Sequence, residues 1–551
     1  MKKNEKPDLI DHILGWIFTN PFKALYFVAL IAGFVIRMDL SLRNKGILHP
    51  DELYQSLEIA HHMVYGSGYI PPEFRSEFDP PSYASSRSWL FPLIFASIMR
   101  FGEFFGLDYH DGSLFLIRVM LGINATLIIP ATKKLTFQLT KNEICAFISA
   151  VYIAFWFRMI EYGVRSFTNT FFLPYLFFGI AFTLKMLEEK NFSIKNSIIF
   201  AITVPLTVYI RLDLGIIIFS FFLVTFKREN LNSYMKLGLI GVVTWLLAGY
   251  YDYTMYEGAK FMSVPINWYT FNVIEGYSKN FGVSSPLYYV GVLIGLDRLW
   301  PWLLLIIFTT IFYKGNELDL ENKNFNELFD GYYITLKSSI IIWIIYSNFW
   351  SGDSHKEIRF MIGGLGIFLI LISMSITINF YYFEKLMREK ETEHFKIDLF
   401  ILSLSKKNLR VIIIFLLIFS LPINSYYTSK TMMSDISYDD INEALAYVGK
   451  QDPLTSVIII EHWSLTGQYT YLHRSNDIQF IFIPLRVDED SREINKIQLH
   501  YIIKTGEIGE FIIFPRYQQY GQLDTIQLLV DYHWIIETVV DGRSDVWKYV
   551  G

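Results

Sequence analysis

Cysteine is almost missing from this sequence. The single Cys145 lies in an apolar run, which excludes an intramolecular disulfide and a cysteine-cluster metal site. Strong charge of either sign is missing too: net charge is -5, only 18% of residues are charged and no long basic tract occurs. Neither nucleic-acid binding nor a polybasic surface tether is therefore indicated. No fixed-period repeat emerges, and no small-residue cleavage site follows the basic opening MKKNEKPDLIDHILGWIFTNPFK. The apolar stretch from Ala24 to Met38 is expected to be a retained anchor with its Lys-rich start on the cytoplasmic side. What is present instead is apolar: 52% hydrophobic and 17% aromatic residues over 551 positions, with a mean hydropathy of +0.31. That exceeds what a soluble domain of this length carries and implies an integral membrane protein.

Further apolar runs recur, near 89–105, 114–129, 144–157, 171–184, 198–210, 214–226, 237–250, 287–312, 333–349, 360–380 and 411–422. Several are shorter than the ~20 residues of a straight span, so the count narrows only to about 10 to 13 helices. The segment Ile198 to Phe226 reads equally as two short helices or one broken around Arg211 and Asp213. The loop from about Glu384 to Arg410 is rich in Lys and Arg and is expected to be cytoplasmic. Crossing back places SGDSHKEIRF on the opposite face, where ILHPDELYQSLEIAHHM also falls, one span from the start. From about Tyr426 short β-like runs (TSVIIIEHW, IQFIFIP, YIIK, EFIIFPRY, HWIIETVV) occur together with helical DDINEALAYVG. The reading is an all-α polytopic membrane protein over 1–425, with a first external loop at 41–88, followed by a small extracytoplasmic α/β domain over 426–551.

Two stretches carry chemistry. Taken as an α-helix starting at Pro50, HPDELYQSLEIAHHMV places Leu53, Leu57, Ala60 and Val64 on one face and Asp51, Gln55, Glu58 and His62 on another. Asp51 and Glu52 in a first turn would complement the helix dipole by a few tenths to ~1 kcal/mol. Set against that plain role, a carboxylate pair at an apolar boundary is expensive unless it is used. His355, Lys356 and Arg359 cluster before an apolar helix, as snorkelling cations or as an anion site. An acid that accepts a proton and cations that hold a phosphate suit transfer of a sugar from a lipid phosphate. Arg87, Arg165, Arg211 and Asp213 stand at the ends of apolar segments, as interfacial anchors or as the lining of a polar cavity. The aromatics of FMSVPINWYTFNVIEGYSKNFG fit an interfacial belt or a sugar platform. The run E-x-x-H-H at Glu58, His61 and His62 is poor evidence for a metal, since no H-E-x-x-H occurs.

HPDELYQSLEIAHHMVYGSGY closely resembles the first-loop motif of glycosyltransferase family 22, the polyprenyl-phosphate-mannose-dependent mannosyltransferases. The resemblance continues in family order through PPEF, RSWLFPLIFAS, VRSFTNTFF, YYDYTMYEGAKFMSVPINWYTFNV and HKEIRF, over roughly residues 20 to 385. The family often has Pro after HKE-x-RF, where this chain has MIGG, and the segment from Tyr426 matches none of its eukaryotic members. The resemblance implies a GT-C fold and an inverting transfer of mannose from a β-linked polyprenyl-phosphate-mannose donor, giving an α-mannoside. The acceptor would be a lipid-linked or membrane-associated glycan, and neither metal nor other cofactor would be needed. Asp51 would be the catalytic base, and Glu52 its alternative or its orienting partner. His355, Lys356 and Arg359, helped by Arg87, would hold the donor phosphate, leaving Gln55, Glu58, Trp89 and Asp252 as candidates for sugar or acceptor contact. The implied membrane is the endoplasmic reticulum or a prokaryotic plasma membrane, with the site on the non-cytoplasmic face. Transfer of another sugar, or transfer to protein, is the nearest alternative reaction. A transporter of lipid-linked sugars would more often show internal repeats and charges near the midplane.

Overall fold

The computed structural model of the protein describes residues 21–43, 48–296, 299–314, 323–348 and 356–391. In the C-terminal region it describes 439–451, 454–461, 468–473, 478–484, 489–505, 511–515, 529–531, 534–540 and 544–549. The Lys-rich start, most of the basic loop before Arg410, the apolar run at 411–422 and His355 lie outside the described residues.

Among the described residues, six helices are long and apolar enough to cross a membrane: Phe22–Arg43, Tyr109–Thr140, Thr168–Glu189, Arg228–Met255, Phe325–Ser347 and Ile358–Tyr382. A seventh is added if the bent pair Tyr288–Gly295 and Trp300–Ile311 forms one span. The chain is a multi-pass membrane protein. The expected count of about 10 to 13 also included runs that fold as shorter apolar helices, Glu143–Phe155, Ile194–Ile210 and Leu212–Thr225. The run near 89–105 becomes a 15-residue helix, Leu90–Phe104, that buries Phe91, Phe95 and Met99 while exposing Phe101 and Phe104. Such a helix lies along a surface more readily than it spans one.

The short helices end where polar groups receive them. Glu143–Phe155 starts at Asn142, whose side chain accepts the Cys145 N–H at 2.9 Å, and stops at Trp156 in an extended conformation. Terminal carbonyls inside an apolar bundle have no water to turn to. Arg37, fully buried on the first span, donates from Nη1 to Ala154 O at 2.8 Å and from Nη2 to Ile153 O at 3.0 Å. The segment 198–226 is broken at Arg211, which adopts φ -138° and ψ 91°. The span Ile358–Tyr382 is buried throughout residues 361–378. Its Gly363 and Gly366 permit that burial, since a Cβ there would stand 2.5 Å from Ile217 Cδ1 and 2.9 Å from Met159 Cε.

The C-terminal region carries a five-stranded sheet among the described residues, ordered β2-β1-β3-β5-β4. Its strands are β1 (Ser456–Ile459), β2 (Gln479–Phe482), β3 (Phe511–Pro515), β4 (Trp534–Val540) and β5 (Ser544–Tyr549), whereas the run YIIK, expected to be β-like, lies in the helix Glu489–Thr505. β1 pairs in parallel with β2 and β3, while β5 runs antiparallel to β3 and β4. β1 and β3 are buried throughout, as sheets with a parallel core require.

Candidate active site

Segments distant in sequence meet at one end of the bundle around a cavity of about 360 Å³, within the range of roughly 300–1,000 Å³ common for small-ligand sites. The first of them is HPDE. The backbone turns at Pro50, whose carbonyl accepts the N–H groups of Leu53 and Tyr54 at 3.0 Å. The chain then makes a π-helical turn, Leu53–Leu57, before the α-helix Glu58–Tyr65. A π turn inserts an extra residue and rotates everything beyond it. The face expected to hold Asp51, Gln55, Glu58 and His62 together is consequently split. Asp51 and Gln55 line the cavity. Glu58 does not; it is buried elsewhere and accepts the N–H of Tyr69 at 3.0 Å and that of Thr470 at 2.8 Å.

The adjacent acids are also separated. Asp51 faces the cavity with its side chain 24% exposed, and its Oδ2 accepts from Arg359 Nη1 at 2.8 Å. His49 Nδ1 accepts the Asp51 N–H at 3.1 Å. Burial pushes the Asp51 carboxyl upward, but Arg359, then His49 and Arg87, outweigh it and hold it at about 2. The group is an anion at physiological pH. Glu52 turns away. Arg165 Nη1 donates to both of its oxygens at 3.2 and 3.1 Å, and Oε1 also accepts the N–H groups of Leu48 and His49 at 2.6 and 3.1 Å. Glu52 and Arg165 are 7% and 10% exposed, so this pair clamps the turn that presents Asp51. Removing one partner of a buried pair costs about 3–5 kcal/mol. Arg165→Met is therefore expected to lower the thermal unfolding midpoint in detergent. Lys141→Met, which breaks the more exposed pair with Glu188, should shift the midpoint far less. Equal shifts would remove Glu52 and Arg165 from this role.

Arg359 is immobilised. It lies in the first turn of Ile358–Glu391, contacts the Glu357 carboxylate through Nε, and packs over the rings of Phe167 and Phe360 at 5.2 and 5.0 Å. Glu357 Oε1 lies 3.4 Å from His49 Nε2, so the HKE-x-RF and HPDE motifs grip each other at two points. The helix break supplies Arg211 and Asp213 to the same cavity, with Arg211 Nε 2.6 Å from Asp213 Oδ1. Arg87 lines it as well, half-buried, and no described carboxylate forms an ion pair with it.

The opposite wall is aromatic. Trp268, Phe271 and Phe281 face the cavity, while Ile266, Tyr269 and Ile274 from the same stretch are exposed. This one stretch thus carries both residues that line the cavity and residues that are exposed, Phe281 being both. Tyr83 stacks on Phe271 with ring centroids 4.5 Å apart. Beside it Glu73 accepts from Gln55 Nε2 at 3.2 Å. Burial raises the Glu73 carboxyl, and Arg87 opposes that rise.

Of the sequence candidates, the structure brings Asp51, Gln55, Arg87 and Arg359 to the cavity. Lys356 is buried outside it, its Nζ donating to the carbonyls of Ser284 and Ser285 at 2.9 and 3.2 Å. Asp252 accepts the Trp89 N–H at 2.9 Å, and the Trp89 ring packs edge-on against Phe74 and Tyr256. Those two residues fix how Leu90–Phe104 leaves the loop. Sequence reasoning passed over His49, Glu73, Tyr83 and Glu357 as individual residues. His49, Glu73 and Glu357 sit inside the quoted motifs HPDE, PPEF and HKEIRF, and that was the available signal.

An anionic carboxylate facing a ring of guanidinium groups, in a cavity with one aromatic wall, can take a proton from a hydroxyl and hold an anionic leaving group. Fold comparison gives the class: the structure has a GT-C fold. It aligns over 98% of both chains, at 13% identity and TM-score 0.56, with ArnT from Cupriavidus metallidurans bound to undecaprenyl phosphate. It also aligns with the archaeal oligosaccharyltransferase AglB from Archaeoglobus fulgidus, at TM-score 0.53 and 11% identity, over 97% of this chain and 75% of that one. Within that class the chain belongs to the Alg9-like mannosyltransferase family, whose profile matches residues 28–473. It is 29% identical to GPI mannosyltransferase 3 of Debaryomyces hansenii over 66% of this chain and 61% of the relative. With the human GPI alpha-1,2-mannosyltransferase 3 it shares 26% identity over 60% of this chain and 53% of the relative. The chain thus spans between half and two thirds of the length of these relatives.

Proposed function

We propose that this protein is an inverting α-mannosyltransferase that moves mannose from a β-linked polyprenyl-phosphate-mannose to a lipid-linked glycan. The observation that carries this reading is the half-buried Asp51 carboxylate, held in the same cavity as the guanidinium groups of Arg87, Arg211 and Arg359. The acceptor hydroxyl attacks the anomeric carbon from the face opposite the phosphate. The new C–O bond forms as the bond to the phosphate oxygen breaks, the departing polyprenyl phosphate keeps the electron pair, and the hydroxyl proton passes to Asp51. Arg359 and Arg87 stabilise the charge gathering on the phosphate. A phosphate drawing on Arg359 competes with Asp51 for the same cation and makes Asp51 a stronger base when the donor is bound. The aromatic wall and the Gln55–Glu73 pair are assigned to the sugars. Because the donor remains in the bilayer, the acceptor is membrane-bound too, and the site faces away from the cytoplasm. Family membership and the names of the relatives support mannose as the transferred sugar.

The test is purified protein with polyprenyl-phosphate-mannose and a panel of glycolipid acceptors, read by mass spectrometry of the lipid-linked product. A mannosylated glycolipid is expected, formed at the same rate in EDTA. Loss of transfer in EDTA that a divalent cation restores would overturn the metal-free part of this mechanism. Transfer to a protein acceptor in place of glycolipid would favour the nearest alternative.

A further inference from the structure

Glu58 and His61 lie on the helix that follows Asp51, yet neither reaches the cavity. Both are engaged by a six-residue stretch of the C-terminal region, 468–473, more than 400 positions away. Thr470 N–H donates to Glu58 Oε1 at 2.8 Å, and His61 Nε2 stands 3.0 Å from His473 Nδ1. The His473 ring stacks flat on Tyr109, with centroids 3.9 Å apart and planes 2° from parallel. His110 Nε2 meets Tyr471 O at 2.6 Å. Thr470 is in the first turn of the helix Gln468–Leu472, where N–H groups have no intrahelical acceptor, so the carboxylate satisfies a donor that burial would otherwise leave unpaired.

From its own side the helix offers a rigid handle. Glu58 Oε2 accepts the N–H of Tyr69, which belongs to a turn folded back on the helix. That turn is possible because residue 68 is glycine, as a Cβ there would stand 2.5 Å from the Glu58 carbonyl oxygen. His61 Nδ1 approaches Ser67 O at 2.5 Å and holds the same turn from the next position. One buried carboxylate therefore joins the catalytic helix, its return loop and the C-terminal region.

We propose that Glu58 is a positioning residue through which the C-terminal domain sets the roll of the helix that presents Asp51. The claim rests on Asp51 being the base. Asp51 and Glu58 are joined by continuous helical backbone through the π turn Leu53–Leu57, so a rotation at Glu58 reaches Asp51 and opens its 2.8 Å contact with Arg359. A misplacement of about 1 Å in a catalytic group costs roughly 10²-fold in rate. The C-terminal domain is on this account part of the catalytic apparatus and not an appended module. The groups facing Glu58 and His61 are His110, His473, Tyr109 and Tyr469.

The experiment uses the full chain carrying Glu58→Gln, with two readouts. In a Cys145→Ser background, spin labels at Phe105→Cys and Ile494→Cys, both exposed positions, report the distance between the two parts of the molecule. The distance distribution is expected to broaden in Glu58→Gln. The turnover rate per folded molecule is expected to fall by about tenfold or more, and the acid limb of the pH–rate profile to move up into the measurable range as Asp51 loses Arg359. Simple loss of active molecules would scale that profile without moving it, and a limb in this variant cannot come from position 58. A broadened distribution with wild-type turnover and an unmoved limb overturns the proposal, as does an unchanged distribution. Should Glu58→Gln not fold, Thr470→Pro removes the donor from the other side and is read by the spin-label distances and the turnover rate, with the same outcomes deciding. If wild-type protein transfers no mannose at all, the reaction assigned above fails, and the spin-label distances alone decide whether Glu58 holds the domain.

Discussion

Asp51→Asn is expected to lower the turnover rate by about 10²–10⁴-fold, the usual contribution of a positioned general base, while leaving the protein folded. The amide keeps the size of the carboxylate and still presents an oxygen to Arg359, but it cannot accept the hydroxyl proton. Geometry separates this variant from one at its neighbour. Asp51 opens to the cavity and receives a single guanidinium contact through Oδ2, whereas Glu52 is enclosed by Arg165 and two backbone N–H groups. Glu52→Gln should therefore act mainly on stability. Initial rates with polyprenyl-phosphate-mannose, normalised to folded protein, provide the check. Wild-type turnover in Asp51→Asn would exclude this residue as the base, and a catalytic loss confined to Glu52→Gln would reverse the two roles.

Arg359→Ala should produce the second large effect, a loss of about 10²–10³-fold in kcat/KM for the donor, the scale seen when one preorganised charge-stabilising group is deleted. It should also change the shape of the pH profile. Arg359 is the strongest influence holding the Asp51 carboxyl at about 2 against burial. Without it the burial effect gains weight and the carboxyl shifts upward. Because only the ionised form is a base, activity is lost as pH falls through that raised value, and an acid limb absent from the wild-type profile appears. Arg359→Lys retains a charge but loses the planar fork that addresses Asp51 and Glu357 together, so an intermediate loss is expected. If Arg359→Ala transfers mannose with unchanged donor kinetics, the phosphate is bound elsewhere, and Arg87 becomes the first alternative.

The membrane character, the change in composition near Tyr426 and the meeting of HPDE with HKE-x-RF were legible in the sequence, because hydropathy and charge placement are one-dimensional signals. Asp51 and Arg359 could be assigned to one membrane face that way although they lie 308 positions apart; their direct contact could not. Roles inside the motifs were less legible. Placing Glu58 with Gln55 assumed a regular 3.6-residue period, and the π turn at Leu53–Leu57 broke it. Nothing in the residue types of LYQSL announces such a turn. Lys356 looked equivalent to Arg359 by spacing, yet the residues stand on either side of the helix start, and only Arg359 enters the turn that faces the cavity. Short apolar runs such as ICAFISAVYIAF could not be sorted into full or partial spans by length alone. What receives their ends is a side chain from another helix, as Arg37 does for Ala154. Contacts of that kind are set by tertiary packing and leave no local pattern.

The separation of Asp51 from its partners has a consequence in time. During synthesis the carboxylate emerges first, Arg359 follows 308 residues later, and the Thr470 donor to Glu58 follows 412 residues after Glu58 itself. At about 5–20 residues per second, those gaps amount to roughly 15–60 s and 20–80 s. Through that interval the growing chain holds a loop that carries the acid without its cation. Under the proposed reaction, Asp51 and Glu58 gain these partners only once the span Ile358–Tyr382 and the 468–473 stretch have been made, so a ribosome that stalls before them leaves both carboxylates without those contacts.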